Sequence, residues 1–409
     1  MKKIELLAPA GDLEKLKTAI IYGADAVYIG GEKFGLRTAS KNFSEDEMKE
    51  GVQFAHDRGK KVYVTCNIIP HNEDLDGVSE YFKYLSDVGI DAIIVSDPAF
   101  IQIAKQVAPD MELHLSTQAN TTNYMTAKFW QQHGISRIVS ARELSLDELK
   151  TIKEKCPDLE VEMFVHGAMC MSYSGRCLIS NFMTGRDANK GECAQPCRWN
   201  YSLVEEKRPG EYFPVEEDGH GTYFFNSKDL CLIQNIKEII ESGIDSIKIE
   251  GRVKTAYYVA TVVRAYKMAI DAYYKDPDNF EFDPLWLEEV GKASHRVFTD
   301  GFYHGKNETG NLQNYSTSSY IRTYDVVAIV TDYDEERDLA KVVQKNRFFK
   351  GDEVEIIGPG FMTVSSRINR IFDEEGKEID NSNIPMQRVF VDVGMRLGKD
   401  YILRKQVLV

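Results

Sequence analysis

The sequence has no apolar run approaching the ~18 residues that a membrane-crossing helix requires. Its start, Met1-Lys2-Lys3-Ile4-Glu5-Leu6-Leu7-Ala8-Pro9, is basic but lacks the apolar segment of ~7–15 residues that defines a signal peptide. No membrane partner is expected, and the chain reads as soluble and cytoplasmic. No G-x-G-x-x-G follows the first strand, which weakens a dinucleotide-binding fold. H-E-x-x-H and G-x-S-x-G are also missing, which removes the usual marks of zinc proteases and serine hydrolases. There is no short-period repeat and no low-complexity tract. Seven cysteines, four of them between residues 170 and 197, do not form the even set of a secreted disulfide framework. Such a cluster reads first as a metal site or a catalytic one. Cations are in deficit, with 50 Lys+Arg against 64 Asp+Glu and a net charge of −14. That disfavours a general polyanion binder and leaves room for a local basic site.

What is present is an ordinary globular balance, 43% hydrophobic and 28% charged over 409 residues. Through residue 252 short apolar segments alternate with amphipathic helices. The strand candidates are residues 5–10, 26–30, 61–67, 92–97, 112–118, 137–141, 160–166 and 246–250. Ser44-x-x-Glu47 and Ser145-x-x-Glu148 are capping boxes that open two of the helices. Eight strands alternating with helices predict a parallel sheet. The number favours a closed (β/α)8 TIM-like barrel, with an open doubly wound sheet as the alternative.

The rhythm breaks after the seventh strand. Residues 167–227 form a cysteine-rich insertion, in which 201–205 and 222–226 look like a short hairpin. A helix over 228–242 is expected to restore the pattern. Helices are predicted over 254–275 and 283–298, and 299–319 reads as a linker. From Tyr320 the period changes to strands at 326–332, 339–343, 353–357, 367–372 and 388–391. The α/β chain therefore divides into a barrel-like catalytic domain (1–275), a helical linker (276–319) and a small C-terminal all-β, barrel-like domain (320–409).

In a parallel barrel the strand C-termini converge on the face that carries chemistry. Here they contribute Pro9 to Asp12, Gly30-Gly31, Cys66-Asn67, Ser96-Asp97, Ser116-Thr117-Gln118, Arg142-Glu143, His166-Gly167 and Glu250-Gly251-Arg252. Such a polar ring suits a small anionic ligand, because arginine forks pair carboxylates bidentately. Several members have simpler readings: Asp12 and Asp97 as helix caps, His114 as an inward-packed side chain, Glu250 and Arg252 as a structural pair.

The cysteines run C-x6-C-x15-C-x3-C over Cys170, Cys177, Cys193 and Cys197, with Cys231 further on. Four thiolates from irregular loops can hold a cubane iron–sulfur cluster. Zinc more often uses paired knuckles, of which Cys193/Cys197 resembles one half. Cys66 and Cys156 read as unliganded. Around the cysteines, Arg176, Arg186, Lys190 and Arg198 outnumber Asp187 and Glu192, and Tyr173, Phe182 and Trp199 interleave with them. That pattern suits phosphates and a stacked base, or simply a solvated loop with aromatic anchors.

Glu162-x-Phe164-x-x-Gly167-Ala168-Met169-Cys170-x4-Gly175-x-Cys177-x-Ile179-Ser180 resembles the signature of the peptidase U32 family, the collagenase-like proteases. So do Glu5-Leu6-Leu7-Ala8-Pro9-Ala10-Gly11, Asp25-Ala26-Val27-Tyr28-Ile29-Gly30-Gly31, Leu115-Ser116-Thr117-Gln118, Lys248-Ile249-Glu250-Gly251-Arg252 and Gly301-Phe302-Tyr303. The resemblance spans nearly the whole chain. The family name implies proteolysis. Its better-understood members are oxygen-independent hydroxylases with a [4Fe-4S] cluster and prephenate as co-substrate. They act on tRNA wobble uridine, a ribosomal RNA cytidine or a ubiquinone precursor. In length and in its β domain the chain is most similar to the tRNA uridine hydroxylation branch. The family's ligand pattern falls on Cys170, Cys177, Cys193 and Cys231, with Cys197 the rival for the fourth place.

The resemblance thus implies an RNA hydroxylase. Arg142, Arg176 and Arg252 would face the two carboxylates of prephenate. Ser116, Gln118, Tyr173 and Arg198 are further candidates for substrate contact, and His166, Glu162 and Glu250 are candidates for moving protons. A peptidase is the alternative, although a Cys170–His166 nucleophile would compete with metal ligation. A third reading is a non-catalytic iron–sulfur partner of a paralogous chain.

Overall fold

The computed structural model describes residues 3–35, 42–170, 172–199, 202–204, 212–214, 227–305, 312, 320–360 and 363–407. It contains two compact units. The first comprises residues 1–20, 24–254 and 296–320, and the second 21–23, 255–295 and 321–409. Among the described residues no helix is long and apolar enough to cross a membrane.

The first unit is a closed parallel barrel. Strands and helices alternate as β1 (Glu5–Pro9), α1 (Leu13–Ile21), β2 (Ala26–Ile29), α2 (Glu45–His56), β3 (Lys61–Cys66), α3 (Val78–Val88), β4 (Ala92–Val95), α4 (Pro98–Val107), β5 (Glu112–Leu115), α5 (Tyr124–Gln132), β6 (Arg137–Val139), α6 (Leu146–Lys155) and β7 (Glu160–Ala168). After β7 come α7 (Ile179–Thr184), a hairpin of β8 (Ser202–Val204) and β9 (Tyr212–Pro214), β10 (Asp229–Cys231), α8 (Ile236–Glu241) and β11 (Ser246–Ile249). β11 pairs in parallel with both β1 and β7, and that double pairing closes the ring of eight. Every residue of β2, β4 and β11 is buried, as expected for strands covered on both faces.

Local chemistry sets the helix starts. Both predicted capping boxes form, at Ser44/Glu47 and Ser145/Glu148. Asp97 caps α4 by accepting from Ala99 N at 2.8 Å. Asp12 accepts from Lys15 N at 3.0 Å at the start of α1.

The insertion departs from the sequence reading in two described places. Residues 229–231 are a strand and not the start of a helix: β7 runs nine residues, and its far end pairs antiparallel with β10, Cys231 opposite His166. The helix resumes only at Ile236. β12 (Phe298–Thr299) then extends this flap by pairing with β10. The first hairpin arm is found, but its partner is 212–214. Residues 222–226 and most of the linker 299–319 lie outside the described residues.

The second unit holds α9 (Ala256–Lys275) and α10 (Pro284–Gly291), so the predicted helix over 283–298 ends at its glycine. Its strands are β13 (Tyr324–Asp334), β14 (Leu339–Gln344), β15 (Phe348–Phe349), β16 (Glu353–Ile357), β17 (Thr363–Arg367), β18 (Arg370–Phe372), β19 (Glu378–Ile379), β20 (Asn381–Ser382), β21 (Arg388–Asp392) and β22 (Ile402–Gln406). Eight of them form an antiparallel sheet in the order β17-β16-β22-β13-β14-β21-β18-β19. Val327, Val330, Val342, Ile356, Val389 and Leu403 lie in its buried core.

Candidate functional site

Alternation along the barrel strands stacks the interior in layers. The lower layer is ionic. Arg137 donates to Glu5 at 2.5 Å, to Glu160 at 2.6 Å and to Glu162 at 3.2 Å. Lys248 reaches the other oxygen of Glu162 at 2.8 Å. Tyr63 donates to Glu5 at 2.7 Å, and the buried His114 ring packs edge-on against Tyr63 at 4.7 Å. Burial alone would raise the pKa of Glu162, but Lys248 and Arg137 outweigh it and hold the carboxyl below its usual range. Burial lowers the pKa of His114 despite Glu112, whose carboxylate lies 3.4 Å from its Nε2.

Two residues further along each strand the layer opens into a cavity of about 140 Å³. Thr65, Asn67, Ser116, Thr117 and Gln118 from the β3 and β5 side form a neutral hydrogen-bonding wall. Phe164 on β7, Lys248 on β11, and Arg142, Glu250 and Arg252 just after β6 and β11 supply an aromatic ring and the charges. The lining thus carries three cations and one carboxylate, an excess suited to an anionic ligand. The Arg142 guanidinium lies 4.0 Å above the Phe164 ring. Lys248 sits 4.5 Å from the centre of the Tyr28 ring, and Tyr28 donates to Glu250 at 3.2 Å. Arg252 crosses the end of β2 to donate to Thr65 at 3.0 Å and to Asn42 at 3.1 Å. Only glycine fits at residue 30 beneath it, since a Cβ there would stand 2.1 Å from Arg252 Nη2.

The roof of the cavity is the loop between Cys170 and Cys177. Asn120 donates to Ser174 O at 3.1 Å, and Arg142 donates to Ser174 Oγ at 3.5 Å. Gly175 has φ +72°, and a Cβ there would lie 2.2 Å from Gln118 Oε1. That Oε1 atom is buried and accepts no hydrogen bond among the described residues, which leaves an acceptor directed at the lining. The segment between Cys170 and Cys177 thus borders the polar cavity through Ser174.

The predicted residues separate accordingly. Ser116, Gln118, Arg142, Glu250 and Arg252 converge on the cavity. Glu162 lies beneath it in the ionic layer, where it holds Lys248. His166 is not among the lining residues. The β7–β11 register slips between Phe164 and His166, interrupting the alternation that turns Glu162 and Phe164 inward. The His166 ring packs against Phe298 at 5.6 Å. Tyr173 and Arg176 are exposed on the roof loop. Arg198 stands on a short 3-10 turn, Pro196–Arg198. Lys248 was missed by sequence reasoning, although its spacing two residues before Glu250 on a strand was the available signal.

None of the cysteines forms a disulfide; Cys170 and Cys193 are exposed, and Cys177, Cys197 and Cys231 half-buried. The loop is tied across its own turn, since Ala194 N donates to Ser180 Oγ at 3.0 Å, bringing the Cys193 segment to the start of α7. The flap strand β10 brings Cys231 alongside the end of β7, four residues before Cys170. Among the described residues no three cysteine sulfurs lie within 4.8 Å of one another. A single tetrahedral zinc, with Zn–S of ~2.3 Å, needs them that close. A cubane spreads its thiolates over four irons, and this all-sulfur donor set fits it in chemistry.

The sequence model of peptidase family U32 matches residues 11–313, and that of the U32 C-terminal domain matches residues 322–404. The chain belongs to peptidase family U32. It is 45% identical to tRNA hydroxylation protein P1 of Bacillus subtilis, over 99% of this chain and 95% of that one. It is 39% identical to tRNA hydroxylation protein P of Escherichia coli, over 88% of this chain and 87% of that protein. The 23S rRNA 5-hydroxycytidine C2501 synthase of Escherichia coli is 35% identical, over 78% of this chain and 48% of the synthase. This U32 chain thus resembles proteins named for RNA hydroxylation along both of its units.

Proposed function

We propose that this protein is an RNA hydroxylase, that it forms 5-hydroxyuridine at the tRNA wobble position, and that it works without oxygen using a [4Fe-4S] cluster and prephenate. The names of its relatives support RNA hydroxylation. The observation that carries the finer reading is the roof: the segment between two cluster-type cysteines closes a cavity lined by three cations and one carboxylate.

In this reading Cys170, Cys177, Cys193 and Cys231 hold the cluster, with Cys197 as the rival fourth ligand. When bound, the cluster supplies one-electron chemistry beside the cavity. Arg142 and Arg252 pair the carboxylates of prephenate, and Lys248 adds positive potential from the floor. Phe164 gives its ring an apolar face. Ser116, Asn67 and Gln118 offer hydrogen bonds to neutral polar groups. Tyr28 and Glu250, already hydrogen-bonded, are placed to hold or pass a proton. Changing C5–H to C5–OH removes two electrons from the base. Without dioxygen, the oxygen atom comes from water or from the hydroxyl of the co-substrate, and the co-substrate takes the two electrons as its C–O bond is replaced by C–H.

The test is nucleoside mass spectrometry of tRNA from a strain lacking the gene, complemented with wild type or with Arg142→Met. Wild type is expected to restore 5-hydroxyuridine and Arg142→Met to restore little. Unchanged tRNA in the deletion strain overturns the proposal.

A further inference from the structure

Just beyond the roof loop, α7 and the residue before it carry the two most exposed large hydrophobic side chains among the described residues, Phe182 at 87% and Leu178 at 68%. They lie two residues either side of Ser180, which is fully buried. At about 100° per residue Phe182 stands on the face of α7 opposite to Ser180, and Leu178, the residue that caps the helix, is one turn before it. Tyr173 (45% exposed) precedes them in the chain and Trp199 (44%) follows. Arg176 and Arg186 are exposed and make no ion pair among the described residues, whereas Lys190 is tied to Asp74 at 3.1 Å. On a chain of net charge −14, residues 173–199 thus hold exposed rings and two guanidinium groups with no ion pair among the described residues, beside the acidic Asp187 and Glu192.

We infer that this face binds unpaired RNA outside the cavity, with bases stacked on Phe182, Tyr173 and Trp199 and phosphates paired by Arg176 and Arg186. The inference rests on the proposed function and deepens it: the nucleotides flanking the target are gripped by the loop that roofs the site together with the segment that follows it. Charge complementarity selects a polyanion, and the exposed rings select one with free base faces. A duplex hides those faces, while loops and single strands present them. Ser174 and Gly175 lie between Tyr173 and Arg176, so a strand laid on this surface has its neighbouring base at the cavity mouth.

The test measures fluorescence anisotropy of the full chain with a labelled anticodon stem–loop and with a fully paired duplex of equal length, over a range of salt. Phe182→Ala should weaken stem–loop binding about tenfold and leave duplex binding unchanged. Arg176→Ala with Arg186→Ala should lower the log–log salt slope by about 0.7 per lost phosphate contact. All these side chains are exposed, so circular dichroism should match wild type. Unchanged stem–loop affinity in Phe182→Ala overturns the inference, as does a change confined to self-association in sedimentation. Cellular 5-hydroxyuridine, measured alongside, separates the two ideas. If wild type restores the modification while Phe182→Ala binds normally, the surface is wrong and the function stands. If binding depends on Phe182 but no modification forms, the surface stands and the function falls.

Discussion

Replacing Glu162 by glutamine tests how the barrel interior is built. The side chain is completely buried between Lys248 at 2.8 Å and Arg137 at 3.2 Å. Arg137 keeps Glu5 and Glu160 in the variant. Lys248 keeps no carboxylate within 4.0 Å among the described residues, because Glu162 is its one ion-pair partner there. Leaving one buried charge unpaired costs about 3–5 kcal/mol, and that is the expected loss in Glu162→Gln. Lys248→Met should cost less, about 1–2 kcal/mol, because Glu162 retains Arg137. The double variant should be more stable than Glu162→Gln alone, since no orphaned ammonium remains. Acid should reproduce the effect in the wild type. The folded pKa of Glu162 lies below its ordinary value of 4.5. Its stabilisation is therefore whole above that value and is lost as pH falls through the depressed one. Urea titrations followed by circular dichroism between neutral and acid pH give all these quantities, and Glu162→Gln should lack this part of the acid loss. A Glu162→Gln variant within about 1 kcal/mol of wild type, less than a lone buried charge costs, would refute the reasoning.

Gly175→Ala places a methyl at a positive φ and 2.2 Å from Gln118 Oε1, so the roof must lift. Affinity for a small dicarboxylate, read by calorimetry, should fall about tenfold with the fold intact; unchanged affinity would show that the loop does not close the cavity. Arg142→Met removes a guanidinium from the lining and should weaken the same ligand about 10–100-fold, the range for a hydrogen bond to a charged group. Protein isolated without oxygen should be brown with about four irons. Alanine at Cys170, Cys177 or Cys193 should bleach it, and the comparison of Cys197→Ala with Cys231→Ala identifies the fourth ligand.

The barrel was legible because its strands are short apolar segments separated by capped helices. Ser44/Glu47, Ser145/Glu148 and Asp97 each carry their signal within four residues, and each forms the expected bond. The polar ring at the strand ends was legible for the same reason, since alternation fixes which residues turn inward. His166 stands outside the lining, where a register slip on β7 interrupts the alternation. Glu162 is a related case: its place inside the barrel was readable, but not the two cations that hold it ionised. β10 is three residues long and exists because β7 overhangs its neighbours, a tertiary cause that local pattern does not show. β22 was not among the predicted strands, and three of its five residues, Arg404, Lys405 and Gln406, are polar. Arg404 is in fact fully buried, paired with Glu289 at 2.7 Å and Glu355 at 2.8 Å within the second unit.

The most direct test of the central claim is reconstitution. Protein purified and handled without oxygen is incubated with prephenate and tRNA from the deletion strain, and the nucleosides are analysed by mass spectrometry. The account predicts that wobble uridine gains one oxygen atom only when prephenate and the cluster-loaded protein are both present. Unmodified uridine under those conditions, with iron bound and the tRNA intact, would contradict it.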